Sequence, residues 1–340
     1  MTKKNLLLIG PLPDPKGGVS IHIERLGRLV GEFFNIAHVD ESRCFKPGVF
    51  NIRSINIFKY FALIKKADIV HIHSARLILR IFHVISSRSQ RKKTIVTIHG
   101  YASANRISAW TDRFFLRFVQ KVVVVNQTIN DILQLKTSVL IRHGFIPPQL
   151  KDEPELADSV KQWIQKQKSL NRKIFTANAW RLDRNQNEDL YGLDLCIELA
   201  RKLREINAAA CFIFNVSSLS KYRDRFEKYR QLIREYGLQD SFLLLNSELS
   251  FVKLIQEAHI VLRPTNADGD ALTVREALFF NKPVIASDAV ARPAGAVLFR
   301  SRDIDDLFKK ALSVLSHGAA AVDKTAESED QLSFYRMLYA

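Results

Sequence analysis

The sequence predicts an α/β protein made of two doubly wound parallel-sheet domains that face a cleft. Three observations carry this expectation. Short apolar, β-branched runs alternate with longer amphipathic stretches, the pattern of βαβ units. The runs are mostly apolar rather than alternating in polarity, which suits parallel strands covered on both faces by helices. The rhythm breaks once, near residues 145–173, and then restarts within a chain of 340 residues, a length that fits two domains of about 100–200 residues each.

In the first half, Asn5–Ile9 reads as a strand and Ser20–Phe33 as a helix with Ile21, Leu26, Leu29 and Val30 near helical spacing. Asp68–His73, Thr94–His99, Lys121–Val125 and Ser138–Arg142 read as further strands. Phe145-Ile-Pro-Pro148 and Lys151-Asp-Glu-Pro-Glu155 mark a linker, followed by a polar helix through Trp163. In the second half, strands are expected at Lys173–Asn178, Ala210–Asn215, Ser241–Leu245, Ile260–Arg263 and Val284–Ser287. Helices are expected at Leu193–Ile206, Arg223–Tyr236 (ended by Gly237), Phe251–Ala258, Leu272–Phe280 and Asp303–Leu315. Ala319–Ser328 reads as flexible, and Gln331–Ala340 as a helix. The domains are therefore drawn at 1–150 and 151–325, with 326–340 as a terminal segment.

Composition narrows the function classes. Hydrophobic residues are 47% and charged residues 25% of the chain, close to globular averages, which excludes a disordered chain, a collagen and a disulfide-stapled mini-protein. The three cysteines, Cys44, Cys196 and Cys211, are far apart and form no zinc-ligand spacing, so reduced thiols in the cytoplasm are expected. The apolar run at the start, Leu6–Ile9, is too short for a signal peptide, and no run of about 18 apolar residues occurs. Charge is strongly one-sided. Residues 1–150 hold 23 basic against 8 acidic residues, whereas residues 151–340 hold 28 against 27, within a total of +16. A positive field confined to one half implies an anionic partner, either nucleic acid or an anionic membrane surface.

Four segments can carry chemistry. Pro15-Lys16-Gly17-Gly18-Val19-Ser20 places a glycine pair between the first strand and first helix, where backbone N–H groups can approach a phosphate. A plain turn with Ser20 as helix cap is the bland alternative. His99-Gly100 ends a strand, the edge at which open α/β sheets bind ligands; a satisfied strand-end histidine is the alternative, and His71 and His73 are weaker candidates. In Arg263-Pro-Thr-Asn-Ala-Asp268-Gly269-Asp270-Ala271-Leu272-Thr273-Val-Arg-Glu276, a strand ends, a polar loop follows and a helix begins. The N–H groups of Ala271 to Thr273 are placed for a diphosphate, and Glu276, one turn in, for a ribose diol. Asp268 and Asp270 also read as helix-start acids or as an Mg²⁺-type pair. Arg181, at the end of the second domain's first strand, can face a phosphate or simply lie on the surface.

At these residues the sequence resembles the GT-B glycosyltransferases, specifically the GT4-like retaining enzymes, over nearly the whole chain. GPLPDPKGGVSIHI resembles the family's Gly-Gly loop. VHIHS, TIHGY, VVVVNQTINDIL and LYGLDLCIELARKL follow in family order, and VLRPTNADGDALTVREALFFNKPVIASD carries the acidic-x7-Glu motif from Asp268 to Glu276. The resemblance implies two Rossmann-like domains and a UDP- or GDP-sugar donor. It implies that Glu276 holds the ribose, and that Asp268 with the N–H groups of Gly269, Asp270, Ala271, Leu272 and Thr273 holds the sugar and diphosphate. Arg181 would face the diphosphate, Gly17 and Gly18 would pack on the phosphates or acceptor, and His99 would contact the donor sugar. Transfer would be metal-independent and retaining, of a hexose-type sugar, onto a glycan or lipid-linked acceptor in capsule, O-antigen or exopolysaccharide synthesis.

Three positions depart from the family pattern. Asp268 stands where Glu is usual, Tyr191 precedes Gly192 where a Lys is usual, and His143-Gly144 replaces Asn-Gly. Lys173 or Arg184 are candidates to replace the missing charge. The basic first half fits a membrane-bound acceptor. Arg76–Lys93 mixes Leu, Ile and Phe with Arg and Lys, and Arg106, Arg113 and Arg117 alternate with Phe114, Phe115 and Phe118. The expected location is cytoplasmic, peripheral on the inner face of the cell membrane, with no nucleic-acid partner. The competing functions are a GT-B-fold sugar-nucleotide epimerase and a catalytically inactive member acting as a binding subunit.

Overall fold

The computed structural model describes residues 3–13, 17–100, 106–135, 139–220, 222–268, 271–317 and 326–340, without the side chains of 106 and 326–330. Pro15, Lys16, Ser138, Gly269, Asp270 and 319–325, all named above, lie outside the described residues. The chain divides into two units, Met1–Ile146 with Thr325–Ala340, and Pro147–Lys324.

The first unit runs β1 (Lys4–Gly10), α1 (Gly18–Val30), β2 (Phe34–Asp40), β3 (Phe50–Asn51), α2 (Ile57–Lys66), β4 (Ile69–Ile72), α3 (Leu77–Ser89), β5 (Lys93–Ile98), α4 (Arg106–Phe115), β6 (Lys121–Val124), α5 (Gln127–Leu133) and β7 (Val139–Ile141). The second runs α6 (Asp158–Ser169), β8 (Lys173–Ala179), β9 (Arg184–Asn185), β10 (Glu188–Asp189), α7 (Leu193–Glu205), β11 (Ala210–Val216), α8 (Arg223–Glu235), β12 (Phe242–Leu245), α9 (Phe251–Glu257), β13 (Ile260–Arg263), α10 (Leu272–Phe279), β14 (Val284–Ser287), β15 (Val297–Phe299) and α11 (Ile304–His317). Helix α12 (Ala326–Tyr339) closes the chain and belongs to the first unit.

Each unit is a doubly wound parallel sheet. The first has the strand order β3-β2-β1-β4-β5-β6-β7 and the second β12-β11-β8-β13-β14-β15. All strand pairs in both sheets are parallel. Chain direction across each sheet reverses between β1 and β4 and between β8 and β13. At such reversals the loops beyond the carboxyl ends diverge and leave a crevice. Leu6, Leu7, Leu8 and Ile9 are all buried, with Leu7 and Ile9 on one face and Leu6 and Leu8 on the other. That explains why β1 reads as a continuous apolar run.

Several elements were not visible as sequence patterns. Strand β2 pairs with β1 along its whole length, yet its residues are mostly half-buried and polar at Asn35, His38 and Asp40. The helix expected through Phe33 stops at Val30, because the chain must turn there to enter β2. Short β3, β15 and the β9–β10 hairpin carry no periodic signal. Helix α12 completes the first unit's core, with Tyr335 and Tyr339 fully buried beside Leu6, Leu8 and Ile69.

Tyr339 also hydrogen-bonds through its hydroxyl to Nδ1 of buried His71 at 2.7 Å. Tyr339→Ala is therefore expected to destabilise the first unit by about 3–5 kcal/mol, the usual cost of removing a buried aromatic ring. Tyr339→Phe should cost only about 1 kcal/mol through the lost hydrogen bond. Urea unfolding of the two variants against wild type checks this ordering.

Candidate functional site

In the second unit the site is organised by one carboxylate. Asp268 follows β13, where the sheet reverses direction. Its two oxygens accept from Arg263 Nε at 2.9 Å and Nη2 at 3.0 Å, from Arg292 Nη1 at 3.0 Å and from the Thr265 hydroxyl at 3.1 Å. Arg292 is itself buried. It donates further to the Thr265 hydroxyl at 2.9 Å and to the Ser287 carbonyl at 3.0 Å, so it ties the end of β14 to the loop after β13. Burial alone would raise the Asp268 carboxyl, but the flanking guanidinium groups outweigh it and hold the pKa at about 2. A carboxylate forked by two guanidinium groups is a poor ligand for a divalent cation, which argues against the Mg²⁺-type reading of Asp268.

Helix α10 starts just beyond. Its N-cap residue, Ala271, makes no side-chain cap hydrogen bond, so the first N–H groups, near Ala271, Leu272 and Thr273, carry the positive end of the helix dipole. Thr273 donates to the Asn178 side chain at 3.2 Å and fixes the helix start against the end of β8. Glu276 is buried in the second turn of α10. Arg181 stacks on the Trp180 ring at 4.3 Å and is ion-paired with Asp183, which also accepts from the Tyr222 hydroxyl.

In the first unit, the glycine pair opens α1. Gly17 is the N-cap in extended conformation; its amide donates to Ser20 Oγ at 2.8 Å. A Cβ on Gly18 would meet nothing within 4 Å among the described residues, so the backbone face there is open. Beyond the ends of β4 and β5 stand His73 and His99, whose Nδ1 and Nε2 lie 3.0 Å apart. His22, from α1, packs its ring 4.6 Å from that of His99 and 5.2 Å from that of His73. Burial, followed by the neighbouring imidazoles, pushes His71, His73 and His99 well below the usual histidine range, so these rings are neutral at pH 7. His71 is satisfied on both nitrogens, by Tyr339 and by Thr97 at 2.7 Å each. It is a structural histidine.

The predicted residues thus fall into two groups. Gly17, Gly18 and His99 lie at the carboxyl edge of the first sheet. Arg181, Asp268, Ala271, Leu272, Thr273 and Glu276 lie at that of the second. Sequence reasoning missed Arg263 as a partner of Asp268, Arg292 altogether, and His22. The five-residue spacing from Arg263 to Asp268 was a usable signal, whereas Arg292 is 24 positions away in an irregular loop.

Residues 17–139 match the family model described as Glycosyltransferase Family 4. The crystal structure of HepE from Anabaena in complex with UDP-glucose is similar to this chain, with a TM-score of 0.69, 13% identity, and coverage of 98% of this chain and 99% of that one. The chain is GT4-like and has the GT-B fold. Sucrose-phosphate synthase from Thermosynechococcus elongatus is also similar, at TM-score 0.65 and 16% identity over 99% of each chain. So is the trehalose-6-phosphate synthase OtsA, at TM-score 0.65 and 13% identity over 92% of each. At these identities the likeness is one of fold. No curated protein matches the sequence.

In this GT4-like chain the departure at Tyr191 has a local explanation. The Arg263 guanidinium lies over the Tyr191 ring, 5.3 Å from its centroid, while forking onto Asp268. Gly192, at φ 71°, then lets the chain pass Pro264, whose carbonyl oxygen a Cβ would meet at 2.4 Å. Tyr191 thus serves as a platform for Arg263. Lys173 is no replacement for the missing Lys: it opens β8 at its amino end, about 20 Å along the strand from Ala179. Arg184 lies exposed in the β9–β10 hairpin.

The depressed Asp268 pKa makes a sign-definite prediction. Its contribution to the second unit is full above the ordinary value of 3.8 and is lost as pH falls towards about 2. That contribution amounts to about 2 kcal/mol. Asp268→Asn, which strands two buried guanidinium groups, should destabilise the second unit at pH 7 by about 3 kcal/mol and flatten its stability between pH 4 and pH 2. Denaturant unfolding across that pH range checks both.

Proposed function

We propose that the chain moves a hexose-type sugar from a nucleoside-diphosphate sugar to a hydroxyl of a lipid-linked glycan acceptor, with retention at the anomeric carbon. Its setting is bacterial surface polysaccharide synthesis of the capsule or O-antigen kind. The observation that carries the reading is the Asp268–Glu276 motif standing where the second sheet reverses, with the N-terminus of α10 between the two acids. HepE, solved with UDP and with UDP-glucose, supports a UDP-type donor, with a GDP-type donor as the alternative.

The chemistry follows from charge. As the sugar leaves, the diphosphate gains negative charge, and preorganised donors lower that barrier. The α10 N–H groups and Arg181 are the donors in this reading, without a bound metal, and Glu276 accepts from the ribose hydroxyls. Gly18 offers a backbone N–H group. Gly17, whose own N–H is held by Ser20 Oγ, packs on the phosphates or acceptor, and His99 meets the sugar. Neutral His99 can accept or donate a hydrogen bond without placing a like charge beside a developing oxocarbenium ion.

An anionic membrane surface is the proposed partner of the first unit. No helix among the described residues is long and apolar enough to cross a membrane. Apolar side chains nevertheless face outward. Phe58 on α2 is 91% exposed and Ile78 on α3 is 80% exposed. Phe82 and Ile85 continue the α3 stripe, and Ile107, Trp110 and Phe114 form another on α4. An open hollow of about 700 Å³ is lined by Ile52, Arg53, Arg76, Leu77, Ile78 and Leu79. Apolar side chains beside exposed cations suit an interfacial surface. Arg80 does not contribute to it: this arginine is buried and paired with Asp112.

Two outcomes are expected. UDP or GDP, or the corresponding sugar, should raise the melting temperature of the chain, by mass action, whether or not EDTA is present. Glu276→Gln should weaken that binding roughly 10- to 100-fold. A shift abolished by EDTA would overturn the metal-free reading, and no shift with either nucleotide class would overturn the donor reading. Turnover of the nucleotide sugar without any acceptor would point to an epimerase. Second, the protein should sediment with anionic vesicles at low salt. The pair Phe58→Ser and Ile78→Ser should reduce recovery several-fold, and equal recovery with neutral vesicles would overturn the membrane assignment.

A further inference from the structure

We propose that the hollow between the start of α3 and the turn after β3 holds the lipid carrier of the acceptor, taking one phosphate and the first carbons of a single apolar chain. In this reading, which rests on the transfer to a lipid-linked acceptor proposed above, the hollow is where that acceptor is gripped. It measures about 700 Å³, within the usual size of a small-ligand site. Its lining is of two kinds. Ile52, Leu77, Ile78 and Leu79 are aliphatic, and Arg53 and Arg76 are cationic. Among the described residues, no carboxylate, amide or hydroxyl side chain lines it. A free sugar needs such groups to fix its hydroxyls, so the lining selects an amphiphile with an anionic head.

Both walls stand beyond the carboxyl ends of strands. Ile52 and Arg53 begin the single helical turn that follows β3, and Arg76 is the N-cap of α3, beyond β4. This is the edge of the first sheet that also carries Gly18 and His99. A phosphate held here keeps the attached glycan at the edge where transfer is proposed. The walls are fixed from beneath. The Arg53 amide donates to Asn51 Oδ1 at 2.9 Å, and its Nε donates to the Ser42 carbonyl at 3.1 Å. Ser42 in turn donates to buried Asp40 through its hydroxyl at 2.7 Å. On the other wall, buried Arg80 ties α3 to the end of β4 through the Ser74 carbonyl at 2.7 Å and pairs with Asp112. A recess with fixed walls needs little ordering when a ligand enters, which favours binding.

Charge complementarity names the head. Neither Arg53 nor Arg76 has an ion-pair partner among the described residues, whereas Arg28, Arg80, Arg263 and Arg292 each meet a carboxylate. No acidic residue stands in the first turn of α3. Guanidinium groups take phosphate oxygens in bidentate pairs, and each chain carbon buried against the Ile and Leu side chains adds hydrophobic stabilisation. A phosphodiester of the bilayer is the other source of this chemistry. A single recess suits one chain. Its place at the site edge, rather than along the outer stripe of Phe82 and Ile85, favours the carrier.

The test uses the full chain without donor or membrane. Decyl phosphate, below its micelle concentration, is titrated by isothermal calorimetry. One equivalent is expected to bind, with decanol, inorganic phosphate and monomeric dihexanoyl phosphatidylglycerol each at least about 10-fold weaker. Arg53→Gln and Arg76→Gln together should weaken decyl phosphate roughly 10- to 100-fold. Lys66→Gln and Arg91→Gln together, which remove the same charge at the amino edge of the first sheet, should leave binding unchanged. Circular dichroism confirms that each variant is folded, and Arg76→Gln alone serves if the pair is not. Undiminished binding in the folded Arg53 and Arg76 variant, or equal affinity for decanol or inorganic phosphate, overturns the proposal. Equal affinity for phosphatidylglycerol overturns the assignment to the carrier. The melting shift with UDP or GDP, read on the same proteins, keeps the two readings apart: a wild-type chain that shows the nucleotide shift but binds no decyl phosphate overturns the hollow alone.

Discussion

Both sheets are entirely parallel, and this constraint governs where chemistry can occur. Parallel neighbours cannot be joined by hairpins, so every strand is followed by a crossover, and both faces are covered. The strand bodies are consequently apolar: Leu6 to Ile9, Val122 to Val124 and Ile260 to Leu262 are all buried. Polar groups collect just beyond the carboxyl ends, and at β1/β4 and β8/β13 the departing loops separate. Gly17, His73 and His99 follow β1, β4 and β5, and Asp268 follows β13. Their common placement follows from winding, before any side chain is considered.

Within the second unit, one buried carboxylate is shared between two arginines. Isolated, either arginine would carry a large desolvation cost. Together they are stabilised by Asp268, by Thr265 and Ser287, and, for Arg263, by the face of Tyr191. A fixed fork suits this role better than a lysine, because each guanidinium meets several acceptors in one plane. The arginine pair and its carboxylate are therefore built into the loops after β13 and β14, with Tyr191 as part of their support.

How much of this the sequence disclosed depended on the kind of signal. The strand-and-helix rhythm was legible because parallel strands are long apolar runs and their crossover helices are amphipathic. The motif between Asp268 and Glu276 was legible because its residues are contiguous. Strand β2 was not, since it sits away from the sheet centre and carries an exposed Asn35, a half-buried His38 and a buried Asp40. Arg292 and His22 were invisible for another reason: each acts through a partner distant in sequence, Asp268 in one case and Gly144 in the other. His143, where the family pattern has Asn, meets the Gln331 side-chain amide on α12 through Nδ1 at 3.2 Å, a contact the sequence could not disclose.

The first unit's outward apolar side chains are best understood from helix α3. A crossover helix normally turns its apolar stripe to the sheet. In α3 the buried positions are Arg80, His83, Val84, Ser86 and Ser87, while Ile78, Phe82 and Ile85 face solvent. The inversion has a structural cost. Arg80 requires Asp112 from α4 as a buried counter-charge. His83 requires Glu41 at 3.0 Å and the Tyr60 hydroxyl at 2.6 Å. A sequence under pressure for stability alone would replace the Arg80–Asp112 ion pair and the hydrogen-bonded His83 with apolar residues at little loss and turn polar residues outward. That α3 does the reverse, in the half of the chain carrying nearly all the net positive charge, argues that its apolar face is shaped by what it touches. That face, flanked by Arg53, Arg76 and Arg88, is the surface on which the proposed anionic lipid partner rests.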